Sequence, residues 1–338
     1  MTGIAPPIQT LLPLPLPLPS APGGRRNWAG LAACGHALGL AALRPASADF
    51  WLIIVPTVAR AESLEAELRY FAGDTPRLAL FPDTEVLSYD TFSPYQDLIS
   101  RRLTVLRDVA AGRIDTLLVA SSTLLPRVAP VRYIGGYSVA LATGQKLRPE
   151  QLRLQLDSAG YQRVSQVLEH GDFAVRGSLL DFYPMGSTLP VRVDFLDDEI
   201  DTLRHFDPDS QLSSEVIGSL ETLPAREMPV DAEAIKQFRQ AYRRRFEGNP
   251  ARSVIYREVS EGRMPGGIEN YLPLFFDSTA LLWDYLPATR LTIALGEPKE
   301  LLAPAWHQIN ERFLDNREDS ERPALEPHEL NGTPEEHL

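Results

Sequence analysis

The chain has 338 residues, of which 44% are hydrophobic and 23% charged, values that exclude wholesale disorder and leave room for about two domains. Acidic residues outnumber Lys and Arg by 45 to 33, and the formal charge of -12 excludes a chain that is drawn as a whole to nucleic-acid phosphates. Cys34 is the single cysteine, which excludes an intrachain disulfide framework and a cysteine-rich zinc site and fits a reducing compartment.

The first 25 residues are rich in leucine and proline. In the run Leu12–Pro19 every second residue is proline, which removes the backbone donors that a helix needs. Residues 1–25 are therefore predicted to form an extended, disordered tail. No stretch of 18 uninterrupted apolar residues occurs in the sequence, so no transmembrane helix is predicted.

The next segment leaves two interpretations open. Arg25-Arg26, the apolar run 28–43 and the small residues 46–48 together imitate a twin-arginine export signal, which would make this an exported ligand-binding protein. Against that, the apolar run leads without a loop-like gap into residues 50–56, which have the continuous hydrophobicity of a buried parallel strand. A helix followed by a core strand explains both segments, and we therefore expect a cytoplasmic protein.

Strand and helix patterns then alternate along the chain. Helices are predicted at about 59–71 and 97–111, and strands at 78–81 and 116–120. A further short helix is expected to begin at 123–125. This alternation is the βαβ pattern of a parallel sheet.

The pattern changes after Pro130, where short strands are separated by Gly, Pro and acidic turns. The predicted elements are a helix at 149–159 and strands at 137–141, 172–175, 178–183 and 191–196. Helical patterns return at 231–246 and 254–261, followed by strand-like segments at 272–276 and 291–295. The polar, acidic stretch 316–338 is predicted to be a linker or a frayed end.

These patterns predict an α/β domain that is interrupted by a smaller α+β domain. The α/β domain would comprise residues 26–127 and 213–330, and the inserted domain residues 128–212. Residues 331–338 would form a linker. Because the strands of the inserted segment have their own apolar residues, we expect the segment 128–212 to fold by itself.

Few residues point to catalysis or metal binding. His170 has no obvious nucleophile or metal ligand beside it in the sequence. An acidic strip from Asp194 to Asp201 could hold a metal or supply paired carboxylates, but a charged turn after a strand is the simpler interpretation. Arg243-Arg244-Arg245 could contact phosphate, or form a solvated helical face beside acidic neighbours. No metal site and no Ser/His/Asp arrangement is predicted.

Four short sequences carry the strongest information about the family. They are Tyr89–Gln96 (YDTFSPYQ), Arg176–Pro184 (RGSLLDFYP), Val193–Asp201 (VDFLDDEID) and Gly267–Tyr271 (GIENY). In this order they resemble landmarks of the excision-repair protein UvrB, and the sequence between them is closer still to the amino-terminal region of the bacterial transcription-repair coupling factors (Mfd). The resemblance covers roughly residues 26–330.

The resemblance implies both a fold and a function. It implies a RecA-like parallel α/β domain, related to P-loop NTPases but degenerate, with an inserted α+β domain that binds UvrA. Such a module recruits nucleotide excision repair to stalled RNA polymerase. It also implies that RNA polymerase and DNA are engaged by other parts of a longer, ATP-dependent DNA translocase, and that no membrane is involved.

The resemblance implies that residues 30–37, which keep the spacing of a phosphate loop, are such a loop without its working side chains. Gly30 and Gly35 stand where the two glycines belong, but His36 replaces the lysine that neutralises phosphate charge and Ala37 replaces the hydroxyl that holds Mg²⁺. The sequence therefore predicts a fragment that needs no cofactor and is not an enzyme. An intact phosphate loop would have favoured the alternative, an active UvrB-like helicase subunit.

The resemblance also indicates which side chains would contact UvrA. The segment Phe173–Gly177 is similar to a UvrB segment with two UvrA-binding arginines, of which Ala174 replaces the first and Arg176 matches the second. Arg163 stands where another arginine is expected. Phe173, Gly177 and Asp181 complete the predicted contact set. The alternative for Arg163 and Arg176 is an intramolecular ion pair with the acidic strip 194–201.

Overall fold

The computed structural model describes residues 16–19, 21, 23–73 and 77–337. Most of the predicted tail lies outside these residues. None of the helices in the described part is long and apolar enough to cross a membrane. The α-helices are α1 Gly35–Leu43, α2 Val58–Ala72, α3 Gln96–Ala110, α4 Ser121–Leu124, α5 Val131–Gly136, α6 Pro149–Ser158, α7 Ala232–Arg245, α8 Val254–Ser260, α9 Pro298–Asn316 and α10 Pro327–Leu330.

A parallel sheet of four strands forms the first layer. Its strands are β1 Phe50–Val55, β2 Leu78–Leu80, β3 Thr116–Ala120 and β12 Arg290–Ala294, in the spatial order β12-β1-β3-β2. The predicted βαβ alternation is confirmed. The pairing of β12 with β1 also confirms that the chain returns to the first sheet after a long excursion.

Both faces of this sheet are covered, which explains why β1 is hydrophobic at every position. Leu52 and Ile54 belong to a core that includes buried side chains of α3, whereas Trp51 and Ile53 belong to a second core with α1 and α2. A strand buried on both faces has no solvent side on which to place polar residues. The apolar run 28–43, which imitates an export signal, thus contains a helix, α1, that packs on this sheet.

Mostly antiparallel strands form the second layer, with a six-stranded sheet, in which only β5 and β6 among the described strands pair in parallel, and a two-stranded ribbon. The six-stranded sheet contains, in sequence order, β5 Gln162–Arg163, β6 Asp172–Arg176, β7 Leu179–Phe182, β8 Val191–Leu196, β9 Glu199–Phe206 and β10 Ser213–Ile217, and these strands are also adjacent in that order. The ribbon pairs β4 Val139–Ala142 with β11 Ser219–Thr222. Antiparallel neighbours joined by short turns are the usual outcome of strands this closely spaced.

The antiparallel strands continue past residue 212, where the inserted domain was expected to end. β10 pairs with β9, and β11 pairs with β4, so both belong to the second layer. The inner face of the six-stranded sheet, with Phe173 and Phe182, also shares one continuous core with Leu52 of the parallel sheet. This shared core gives a physical reason why a fragment cut at 212 would expose apolar surface.

The predicted strand at 272–276 is wrong. Residues Ile268–Phe275 form a 3₁₀ helix, in which the buried residues recur at intervals of three and four rather than two. Gly267 precedes this helix with φ of +77°, and a Cβ there would collide with the carbonyl oxygen of Asp90. The glycine in the GIENY sequence is therefore required by a close backbone approach.

The prediction of a linker or frayed end at 316–338 is also wrong for the described residues up to 337. Leu325 and Leu330 are buried, and the backbone N–H of Gly332 donates to the carbonyl oxygen of Leu125 at 2.7 Å. Several of the acidic side chains that made the stretch look like a linker form ion pairs instead, as Glu329 does with Arg245 at 2.7 Å and Glu336 with Arg127 at 3.1 Å. Acidic composition alone did not reveal these partners.

His337 gives this packed segment a pH dependence. Its Nδ1 accepts a hydrogen bond from Trp283 Nε1 at 2.6 Å, and burial lowers the pKa of His337 to about 4. In the unfolded chain the pKa of this histidine is near 6.5, so on acidification the unfolded chain binds the proton at a higher pH than the folded chain does. This contribution to stability is complete above about pH 7 and is lost as the pH falls from about 6.5 towards 4.

We therefore expect acidification from pH 7.5 to 5 to reduce the free energy of unfolding through His337 by roughly 1–2 kcal/mol, after discounting for partial solvent exposure. Urea titrations at both pH values, followed by tryptophan fluorescence, measure this change. The variant His337→Gln does not titrate and should lose less stability over the same pH interval than the parent. Equal pH dependence in the two proteins would contradict this role.

Candidate partner-binding surface

Of the side chains that were predicted to bind a partner, Arg176 and Asp181 lie on the outer face of the six-stranded sheet, whereas Arg163 lies opposite Phe173 on the edge strand. Because residues that oppose one another in neighbouring strands share a face, the pairing defines two rows across the sheet. One row contains Ala174, Asp181, Arg192 and Arg204, and the other contains Arg176, Leu179, Asp194 and Thr202. The opposite face of the same strands packs into the core.

Arg176 lies at the end of β6, where the chain turns into β7. Its side chain is exposed, and its Nη2 donates a hydrogen bond to the carbonyl oxygen of Ser165 at 2.8 Å. Gly177 makes the turn with φ of +63°, and a Cβ there would meet no other atom within 4 Å. The guanidinium is therefore held at an open sheet corner with donors left for an acceptor on another molecule.

Arg163 lies on the neighbouring strand at the edge of the sheet. It pairs with Phe173 in the parallel β5–β6 ladder, and both residues of β5 are exposed. Leu168, in the segment between β5 and β6, is 51% exposed. The edge thus offers a cation and an apolar side chain on short, neighbouring segments.

The alternative of an intramolecular ion pair gains no support from the described residues. Asp194 shares the row of Arg176, but Leu179 on the intervening strand separates them, which places the two backbones about 9–10 Å apart. Within the described ranges neither Arg163 nor Arg176 forms an ion pair. Both guanidinium groups therefore remain available to a partner.

Phe173 and Asp181 need a correction, because neither is placed to touch a partner directly. Phe173 is fully buried in the core beneath the sheet. Asp181 is 2% exposed and binds Arg192 through both oxygens, at 2.8 and 2.9 Å. This hydrogen-bonded pair raises the pKa of Arg192, whose guanidinium also lies over the ring of Phe206. Phe173 packs in the core against the inner face of the sheet, and Asp181 holds the side chain of Arg192 in place.

The six-stranded sheet is fastened to the first layer through α3. The backbone N–H of Gly186 donates to Ser100 Oγ at 2.8 Å. Arg102, 2% exposed, donates to Glu227 Oε1 at 2.8 Å and to the carbonyl oxygen of Pro82 at 2.8 Å. Sequence reasoning missed this contact. The available signal was an arginine at position 102 on the buried face of an amphipathic helix.

The loop with phosphate-loop spacing has little capacity to hold a phosphate. Gly35 begins α1, and the N–H groups of Gly35 and His36 donate to the carbonyl oxygens of Ala32 and Ala33, at 2.9 and 3.4 Å. These donors are therefore used within the loop. Ala37 is fully buried, so the position of the missing hydroxyl points into the core.

The surroundings of this loop also differ from those of a nucleotide site. A phosphate loop connects a strand to a helix. In the described residues between 16 and 34 no strand precedes the loop. Arg60 donates to the carbonyl oxygen of Ala33 at 3.2 Å but is already paired with Glu67 at 3.0 Å. The hydrogen bond from Arg60 lowers the pKa of Glu67. Because Glu67 neutralises its charge, Arg60 is poorly suited to bind a phosphate.

Other residues considered for chemistry have structural partners. His170 stacks on Tyr183 with ring centroids 4.1 Å apart, and its Nε2 lies 2.8 Å from the carbonyl oxygen of Ser187. The acidic strip begins in β8 with Asp194, continues through the β8–β9 turn and ends in β9. Across the described part of the chain no group of three His, Cys, Asp or Glu residues could hold a metal ion.

Comparison with known proteins identifies the domain to which these strands belong. Residues 139–228 match the family model of the UvrB interaction domain, a range that includes β4 through β11. The chain is 41% identical over 281 residues to the transcription-repair-coupling factor of Escherichia coli, which covers 82% of the chain and 24% of that protein. It is 36% identical over 315 residues to that of Haemophilus influenzae, covering 93% of the chain and 27% of the relative.

More distant relatives carry the same name. The transcription-repair-coupling factor of Bacillus subtilis is 25% identical over 279 residues, which is 78% of this chain and 24% of that protein. The chain thus spans about a quarter of the length of the curated relatives that it matches. The chain belongs to the transcription-repair-coupling factor family, and it corresponds to an amino-terminal module of those proteins that contains the UvrB interaction domain.

Proposed function

We propose that this module docks UvrA and so brings nucleotide excision repair to stalled RNA polymerase. The observation that carries the proposal is the exposed guanidinium of Arg176, held against the carbonyl oxygen of Ser165 at the corner of a UvrB interaction domain. A fixed arginine can donate two parallel hydrogen bonds to a carboxylate, and it loses little side-chain entropy on binding.

The neighbouring residues suit this role. Gly177 adds no side chain beside Arg176, so a partner backbone can approach the corner closely. Arg163 supplies a second cation from the edge strand. The Asp181–Arg192 pair and the buried ring of Phe173 hold the strands beneath them in register. We propose Arg163, Arg176 and Gly177 as the direct contacts, with Phe173 and Asp181 as supporting residues.

We propose that the parallel-sheet domain is a degenerate RecA-like scaffold that orients the docking domain. Four parallel strands with helices on both faces are compatible with this ancestry. In this proposal residues 26–127 and the return after the insertion form the scaffold. Since β11 and the family match both extend past 212, we place the end of the inserted domain near Met228.

The scaffold is proposed to neither bind nor hydrolyse ATP. His36 cannot replace the phosphate-binding lysine, and buried Ala37 cannot hold Mg²⁺. Calorimetry with Mg·ATP should detect no binding in the micromolar range, and His36→Lys alone should not restore it, because Gly35 and His36 donate within the loop. Micromolar binding by the parent chain would refute this prediction.

RNA polymerase binding and movement on DNA are proposed to belong to other parts of a longer protein. The relatives are about four times as long as the segment matched here. The direct test of the docking proposal is a pull-down of purified UvrA by this chain, with UvrA on empty resin as the control. Failure to retain UvrA in the presence of folded protein would overturn the proposal.

A further inference from the structure

Five exposed arginines lie on α7 and in the segment that follows it, and within the described part of the chain none of them has an acidic partner in hydrogen-bonding range. The members of this arginine patch are Arg239, Arg243, Arg244, Arg252 and Arg257. All five are exposed, and among the residues that the structure describes none of them forms an ion pair. In a chain of net charge -12 such a local excess of positive charge needs an explanation.

Neighbouring cations on the same elements are paired. Arg245 binds Glu329 at 2.7 Å, Lys236 binds Glu233 at 3.2 Å, and Arg263 binds Glu258. The three arginines of the run Arg243–Arg245 therefore differ. Arg245 forms an intramolecular ion pair, whereas Arg243 and Arg244 form none with the described residues. Ion pairing is available on this surface, and the arginine patch lacks it.

Two members of the patch are held in place by one aromatic residue. Arg239 Nε donates to the hydroxyl of Tyr256 at 3.4 Å, and the guanidinium of Arg243 lies over the same ring, 5.4 Å from its centroid. The two residues are one helical turn apart, which separates them by about 6 Å along α7. This separation is comparable with that of neighbouring phosphates along a nucleic acid strand.

The composition of the patch distinguishes a nucleic acid from a protein partner. Protein interfaces are usually centred on exposed apolar or aromatic anchors. None of the large exposed hydrophobic side chains of the described chain lies between residues 232 and 263. Tyr242 and Tyr256 are buried beneath the arginines, so they offer no surface on which an unpaired base could stack. The groups that the patch does expose are guanidinium groups, which are planar, permanently charged and able to donate hydrogen bonds to phosphate oxygens.

We propose that the arginine patch binds the phosphate backbone of duplex DNA without sequence preference. The contact goes beyond the UvrA-docking proposal and uses different elements of the fold. Because the rest of the chain is acidic, the attraction is confined to the patch and falls steeply with salt. The module would thereby be kept beside the DNA on which repair proteins must assemble.

The test is fluorescence anisotropy of a labelled 20-base-pair duplex titrated with the full chain, at several salt concentrations from about 50 mM upwards. The parent should bind two duplexes of unrelated sequence equally. The double variant Arg239→Gln/Arg243→Gln should weaken binding about tenfold at low salt and reduce the salt slope by about two. Since those two arginines touch Tyr256, Arg244→Gln/Arg252→Gln provides a second double variant, whose residues form no side-chain hydrogen bond or ion pair with the part of the chain that the structure describes.

The matched control is Arg101→Gln/Arg132→Gln, which removes the same charge from exposed arginines on α3 and α5. It should bind DNA like the parent, and circular dichroism should show all variants folded. The proposal is overturned if the parent does not bind the duplex, if the control weakens binding as much as the patch variants, or if neither patch variant weakens it. Tighter binding of polyglutamate than of the duplex would also overturn it, in favour of an acidic protein segment.

Discussion

Replacement of Arg176 by alanine should weaken UvrA binding by about 2 kcal/mol, or roughly 30-fold in Kd, with little loss of folding stability. The Arg176 side chain is exposed, and among the described residues it hydrogen-bonds only to the carbonyl oxygen of Ser165, which is also at the surface. Removing the side chain therefore leaves no buried polar group without a partner. Isothermal titration calorimetry with purified UvrA measures the change. Arg176→Lys keeps the charge but loses the planar fork, and should recover only part of the affinity.

Arg163→Ala should also weaken UvrA binding, but by less. Arg163 lies on the exposed edge strand, and no side-chain hydrogen bond to the described residues orients it. Arg132→Ala is the matched control, since it removes an exposed arginine from α5, outside the proposed surface. If Arg163→Ala and Arg176→Ala both bind UvrA like the parent while circular dichroism shows them folded, the site assignment is wrong, even though the family assignment stands.

Breaking the buried pair between Arg102 and Glu227 should be the most destabilising single change, at about 3–5 kcal/mol for either Arg102→Met or Glu227→Leu. Each variant leaves one charge without its partner in a place where the arginine side chain is only 2% exposed to water. The guanidinium also lies 4.4 Å from the ring centroid of Phe81 and donates to Pro82, so it cannot turn to solvent without disturbing the core. Urea unfolding monitored by circular dichroism measures the loss.

The double variant Arg102→Met/Glu227→Leu should recover most of that stability, because two apolar side chains remove both charges from the interior together. Arg263→Met is the comparison for an exposed pair and should change the stability far less, because water screens an exposed ion pair. Single variants at 102 or 227 that cost no more than Arg263→Met would contradict the buried pair. A double variant as unstable as the singles would show that the hydrogen bonds matter more than the charges.

Much of the local structure follows from the sequence. The uninterrupted hydrophobicity of residues 50–55 and 116–120 predicts strands buried on both faces, and β1 and β3 occupy those positions. The helical spacing in 59–71 and 97–111 predicts α2 and α3 to within a residue or two. These signals are strong because a period of apolar residues reports directly on which side of an element is buried.

Local pattern was insufficient where burial depends on distant partners. β9 begins within the acidic strip, whose exposed carboxylates at 199 and 201 flank the buried residue Ile200 and so hid the start of the strand. The strand predicted at 272–276 is a 3₁₀ helix, since short apolar runs fit either element until their neighbours are known. α9 was not predicted at all, and Pro304 in its interior disrupts the usual helical pattern.

By itself the sequence determined most of the element types, the return of the chain to the first sheet and, through four short sequences in order, the family. Only the tertiary structure decided which charges are free. Arg102 and Glu227 are 125 residues apart in the chain, yet they meet in the interior, whereas Arg176 remains exposed beside Ser165. The same structure buried Phe173 and Asp181 and, among the residues that it describes, left the arginine patch without ion pairs. A sequence states each residue's charge, but the free energy of that charge depends on its distance from partners and from water, which only the fold sets.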